Sequence, residues 1–154
     1  MKYTDLIGKK MNLKKLSNIK IYGDIKCRDK NCPTESQEQM TFFNMIRSIL
    51  PHTYGRTAFH QRNESKRSYK QASFHKAEGM TKGVPDIVIP GKVTFLCELK
   101  RQDHTLCRIS DEQIKYLEVA QKMGAFCCVA LGWESALAAF EDYLKNIDKK
   151  VVLL

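Results

Sequence analysis

Residues 83–102, GVPDIVIPGKVTFLCELKRQ, constrain the fold more than any other stretch, because two β-branched apolar runs flank Pro90-Gly91. This pattern predicts a hairpin with its turn near residues 90–92. If the turn centres on Gly91, residue i faces residue 182 − i, so Asp86 stands opposite Leu96 and Val84 opposite Glu98. Asp86 and Glu98 then share one face as diagonal neighbours, about 7–8 Å apart at the backbone. Lys100 points to the same side, since side chains alternate along a strand. Val93, Phe95, Cys97 and Leu99 fall on the opposite face, which reads as core.

Two acids and a lysine on one exposed face form a chemically loaded arrangement. Neighbouring carboxylates repel, and one has its pKa raised unless a cation lies between them. A hard divalent ion such as Mg²⁺ takes oxygen ligands and relieves that repulsion. It also polarises a phosphoryl oxygen and lowers the pKa of bound water. A lysine beside it can orient or deprotonate that water, or neutralise charge developing on a phosphate. A structural salt bridge of Glu98 with Lys100 or Arg101 is the competing reading.

The surrounding chain supplies helices. Thr34 with Gln37 fits a capping box that opens a helix carrying Phe42, Phe43, Ile46 and Ile49, and Pro51 ends it. Residues 52–82 are polar and basic with little periodicity, which predicts a long functional or mobile segment. Ser110 with Gln113 forms a second capping box, and that helix runs through Ile114, Leu117 and Met123 to Gly124. AFCCVAL (125–131) reads as a strand buried on both faces, and a last helix covers about 133–145. The expected fold class is α/β, a mixed central sheet flanked by helices. Residues 1–33 read as a basic N-terminal arm, or a few short elements packed onto a domain spanning 34–154.

Charge is unevenly spread over the 154 residues. Of the net +9, residues 1–76 carry +10 and residues 77–154 carry −1. Basic charge confined to one half is what a polyanion-binding surface produces. Arg56, Arg62, Lys66, Arg67, Lys70, Lys76 and Lys82 are the candidate phosphate contacts, with a solvated loop as the bland alternative. No window is apolar enough to cross a bilayer and no secretory signal is visible, so an intracellular, cytoplasmic protein without membrane contact is expected. The small size is compatible with a phage or mobile-element origin. The six cysteines read as reduced thiols packed as small hydrophobes, with a zinc or redox role left open for Cys27 and Cys32. His52, His60, His75 and His104 share no metal spacing and are expected to be exposed or to touch the bound polyanion.

Pro85-Asp86, eleven residues, then Glu98-Leu99-Lys100 resembles the PD-(D/E)XK nuclease signature. Gly83-Val84-Pro85-Asp86, Glu98-Leu99-Lys100 and Ser110 with Gln113 sharpen the resemblance to its VRR-NUC subgroup, over roughly residues 34–145. The resemblance implies that Asp86, Glu98 and the backbone carbonyl of Leu99 bind Mg²⁺ or Mn²⁺, and that Lys100 acts on the attacking water. It further implies an acid on the first helix, followed four residues later by glutamine. Glu35 with Gln39 fits, while Glu38 remains an alternative. Gln113 matches a later glutamine, although capping could account for it alone. The expected activity is a metal-dependent DNA endonuclease that leaves a 5′-phosphate and a 3′-hydroxyl. By resemblance it acts on branched DNA such as four-way (Holliday) junctions, as a homodimer. The rival expectations are a catalytically inactive DNA-binding module of nuclease fold, and a basic protein-interaction or inhibitor factor.

Overall fold

The computed structural model describes residues 11–62 and 68–147. Among the described residues four strands form one mixed sheet in the order β1-β4-β3-β2, with β1 at Lys20–Tyr22, β2 at Ile87–Ile89, β3 at Phe95–Lys100 and β4 at Phe126–Leu131. β2 and β3 are antiparallel, whereas β4 runs parallel to both β3 and β1. The helices are α1 (Glu35–Ile49), α2 (Tyr54–Thr57), α3 (Tyr69–Ala77), α4 (Asp111–Lys122) and α5 (Trp133–Ile147). The α/β class expected from the sequence is the one observed.

Each face of the sheet has its own core. Phe95, Cys97, Leu99, Cys128 and Ala130 pack against Phe42 and Ile46 of α1 and Ala136, Phe140 and Tyr143 of α5. Leu96, Cys127 and Val129 pack on the other side against Ile114 and Leu117 of α4, together with Leu16 and Ile19. Adjacent Cys127 and Cys128 therefore enter different cores, as strand alternation requires. All six cysteines are free thiols, and every one except Cys27 is buried. The sheet also crosses the boundary expected at residue 33, because β1 pairs with β4 and Leu16 and Ile19 are core residues.

The hairpin register departs from expectation by two residues. Ile87 pairs with Cys97, Val88 with Leu96 and Ile89 with Phe95. The turn is wider than one centred on Gly91, since strand pairing resumes only at Phe95. Tyr143 of α5 fixes it by donating from its hydroxyl to the Val93 carbonyl. A two-residue slip preserves the face on which each side chain lies. Asp86 thus comes level with Glu98, not with Leu96, and the shared face survives.

Residues 52–82 also differ from the reading as a segment without elements. α2 and α3 lie within it, and Ser68 with Gln71 makes a capping box for α3. α3 buries no residue. Its sequence carries no apolar stripe, so periodicity could not reveal it.

Glu38 holds α1 to the start of α5. It is fully buried, its Oε1 accepts the Gln102 amide at 2.9 Å, and its Oε2 accepts the Trp133 N–H at 2.8 Å. That second bond satisfies one of the N–H groups that a helix start leaves unpaired. Replacing Glu38 by Ala should lower the unfolding free energy by about 2–3 kcal/mol, the worth of charge-assisted bonds in a buried setting. Urea denaturation followed by circular dichroism reads this directly. An unchanged midpoint would show that the carboxylate does not bind the two helices together.

Candidate active site

β3 carries the two central groups, and the loop before β2 brings the third. Glu98 is 1% exposed and Lys100 3%. Lys100 Nζ donates to Glu98 Oε1 at 2.9 Å and lies 3.8 Å from Glu35 Oε1. Asp86 Oδ2 accepts the Leu99 N–H at 3.0 Å, which pins that acid to the strand bearing Glu98. Glu98 Oε2 is buried and has no hydrogen-bond partner among the described residues.

Gln113 fills both roles open to it. Its amide oxygen accepts the Ser110 N–H in the capping box, and its Nε2 donates to Glu98 Oε1 at 2.6 Å. The loop leading to Asp86 also packs closely on the start of α4. Gly83 has φ +78°, and a Cβ there would strike the Glu112 carbonyl. Glycine in the GVPD run is thus required both by backbone conformation and by the neighbouring helix.

On the first helix, the two acids separate by position. Glu35 faces Lys100, whereas Glu38 is spent on Gln102 and Trp133. Cys107 was not singled out by sequence reasoning, yet its thiol is buried close to the site, where it donates to the Asp103 carbonyl at 3.6 Å and the Arg101 carbonyl at 3.9 Å. His60 was likewise given no special weight. Its Nδ1 lies 2.9 Å from the Asp86 carbonyl, so it donates there, and 4.0 Å from Asp86 Oδ1. The backbone bridge between Phe59 and Val88 places it. No local pattern predicts that bridge.

His104 contradicts the expectation of exposure. It is 8% exposed, and its Nε2 bonds to the Ile25 carbonyl. The reason is that the loop after β3 clasps residues 25–33: Asp103 accepts the Asp29 N–H, and Arg101 donates to the Cys32 and Pro33 carbonyls. Arg56 and Arg62 flank His60 in sequence, Lys70 and Lys76 are exposed on α3, and Lys82 is exposed just before Gly83. Lys66 and Arg67 lie outside the described residues.

Burial dominates the electrostatics. Desolvation, then the nearby Asp86 charge, pushes the Glu98 carboxyl up to about 8 despite the Lys100 ammonium. Desolvation also raises Glu35, partly offset by Lys100. For Lys100, burial favours the neutral amine, but Glu98 and Glu35 outweigh it and hold the ammonium above the usual lysine range. Lys100 is therefore charged at neutral pH.

A carboxyl raised from its usual 4.5 to about 8 binds more protons in the folded than in the unfolded chain. Its contribution to stability is present below pH 4.5 and is lost as pH rises to about 8. In metal-free buffer the wild type should lose stability across that window relative to Glu98→Gln. Parallel urea titrations at pH 5 and pH 8.5 check this, and identical trends in the two proteins would refute it.

The sequence matches no family model and none of the curated proteins. Among solved structures, a VRR_NUC domain protein has the same fold, with a TM-score of 0.60 and 19% sequence identity over 75% of this chain and 91% of that one. The mixed sheet flanked by helices is accordingly the fold of a VRR_NUC domain protein.

Proposed function

We propose that the protein is a divalent-metal-dependent deoxyribonuclease that hydrolyses phosphodiesters in branched or structured DNA, leaving a 5′-phosphate and a 3′-hydroxyl. It would act as a homodimer, as the resemblance implies. The observation that carries this reading is Glu98 Oε2, a carboxylate oxygen sealed in the protein with no donor, beside a second acid and an ammonium. Leaving a buried carboxylate oxygen without a donor costs about 1–3 kcal/mol. A bound Mg²⁺ or Mn²⁺ would remove that cost, so the donor set fits a hard cation. Asp86 and Glu98 would hold it, with the Leu99 carbonyl as a further oxygen. When bound, such an ion polarises the phosphoryl oxygen and lowers the pKa of water.

The chain's own groups then have distinct tasks. Lys100, charged and clamped by Glu98, neutralises charge developing on the phosphate and orients the attacking water. Its raised pKa makes it a poor proton acceptor. Glu35 is the better base, being a carboxylate next to Lys100 whose own pKa is raised by burial. The water oxygen bonds to phosphorus, its proton passes to a Glu35 oxygen, and the bond to the 3′ oxygen breaks, with that oxygen taking a proton from solvent. Gln113 keeps Glu98 oriented through its 2.6 Å bond.

One observation favours the inactive DNA-binding alternative. Among the described residues, no three His, Cys, Asp or Glu side chains come together as a metal site, and Lys100 with Gln113 already engages Glu98. That reading predicts salt-dependent DNA binding without cleavage. The two separate in an assay on a four-way junction, single strands and plain duplex with Mg²⁺, Mn²⁺ or EDTA. Lys100→Ala should cut about 10²- to 10³-fold more slowly than wild type, in line with loss of a transition-state charge contact. DNA affinity should change little. Equal cutting by the two proteins would overturn the assigned roles, and no cutting by wild type with any metal would favour the binding module.

A further inference from the structure

A second concave surface adjoins the acid–lysine site. It is a cleft of about 450 Å³ between α1 and the 59–60 segment, lined by Gln39, Met40, Phe43, Asn44, Arg47, Phe59 and His60. His60 belongs to both places, because its Nδ1 donates to the Asp86 carbonyl. Along α1, Met40 sits little more than one helical turn beyond Glu35, a rise of about 7–8 Å. The cleft therefore borders the acid–lysine site through His60 and the first two turns of α1.

The lining suits a flat, partly polar ring. Phe59 is 46% exposed and Met40 57%. Phe59 is presented rigidly, since its N–H and carbonyl both pair with Val88, at 2.9 and 3.0 Å. The Arg47 guanidinium lies over the Phe43 ring, 5.1 Å from its centroid, and offers a second planar surface. Asn44 adds an amide at the edge. Aromatic faces and guanidinium planes stack on unpaired bases, while amides read their hydrogen-bonding edges. Bases within a continuous helix have no free face to offer.

We infer that this cleft receives an unstacked nucleobase from the nucleotide flanking the scissile phosphate, which makes the substrate class DNA with an unpaired or extruded nucleotide at the cleavage point. The inference rests on the nuclease reading for the identity of that phosphate, but base binding itself requires no cleavage. Phe59 is a specificity residue under this scheme, outside the acid–lysine machinery.

The test uses oligonucleotides carrying 2-aminopurine at successive positions around a branch, and the same positions in continuous duplex, bound in EDTA. Wild type should change the fluorescence at one position beside the branch. Phe59→Ala should abolish that change and weaken binding of unpaired DNA about tenfold, the scale of one lost base–aromatic stack. Phe59→Trp should restore both, and the salt dependence should stay as in wild type, because no phosphate contact is altered. A matching fluorescence change in continuous duplex identifies an extruded base; its restriction to the branch identifies a base already unpaired. Either supports the cleft. Loss of affinity for a duplex in which no base changes fluorescence, or no effect of Phe59→Ala on either DNA, overturns it and leaves the cleft to another occupant, such as an apolar side chain of a protein partner. If wild type cuts DNA with Mg²⁺ while Phe59→Ala binds unchanged, this inference falls alone. If base binding depends on Phe59 but nothing is cut, the nuclease reading falls instead.

Discussion

An ionisable carboxyl in the middle of a sheet is an expensive group, and the arrangement around Glu98 is organised by that cost. Glu98 is flanked in β3 by Cys97 and Leu99, whose side chains are sealed in the core shared with α1 and α5. Its own side chain emerges on the face where α4 packs, and there it meets Lys100 and Gln113. Both partners engage the same oxygen, so the second oxygen is left without a donor. Desolvation consequently outweighs the ammonium and raises the carboxyl. A protein interior keeps such an oxygen when something else can meet it.

Three separate constraints bring the site together. Period-two alternation puts Glu98 and Lys100 on one face. The tight passage of Gly83 over the first turn of α4 brings the Asp86 loop and Gln113 to the same place. The start of α1, set by Thr34 and Gln37, presents Glu35 toward Lys100 while Glu38, one turn inward, ties the helix to α5. Two acids three residues apart thus take unrelated duties, one electrostatic at the site and one structural. Helix geometry separates them by nearly a full turn, yet the decisive difference is what packs against each.

His60 shows how the site and its surroundings are joined. A single backbone bridge to Val88 carries the imidazole to the Asp86 carbonyl, and the same bridge exposes the Phe59 ring beside α1. The acidic centre and the aromatic cleft therefore share a rigid edge. A shift of β2 would move both.

Much of the framework was legible in the residues alone. Alternation in GVPDIVIPGKVTFLCELK placed the acids and Lys100 on one side, and this survived a register error because the slip was even. Capping boxes at Thr34 and Ser110 located α1 and α4, since caps are local chemistry. α3 was not legible, because a helix that buries nothing leaves no apolar period. Nor were the burial of His104, the choice between Glu35 and Glu38, or the meeting of His60 with Asp86. Each depends on contacts between segments tens of residues apart, and no local pattern encodes which distant chain will cover a side chain. The sequence by itself determined which groups lie on which face of each element. Only the tertiary structure decided which of those groups are sealed from water, and burial is what turns an ordinary glutamate into one with a carboxyl near 8.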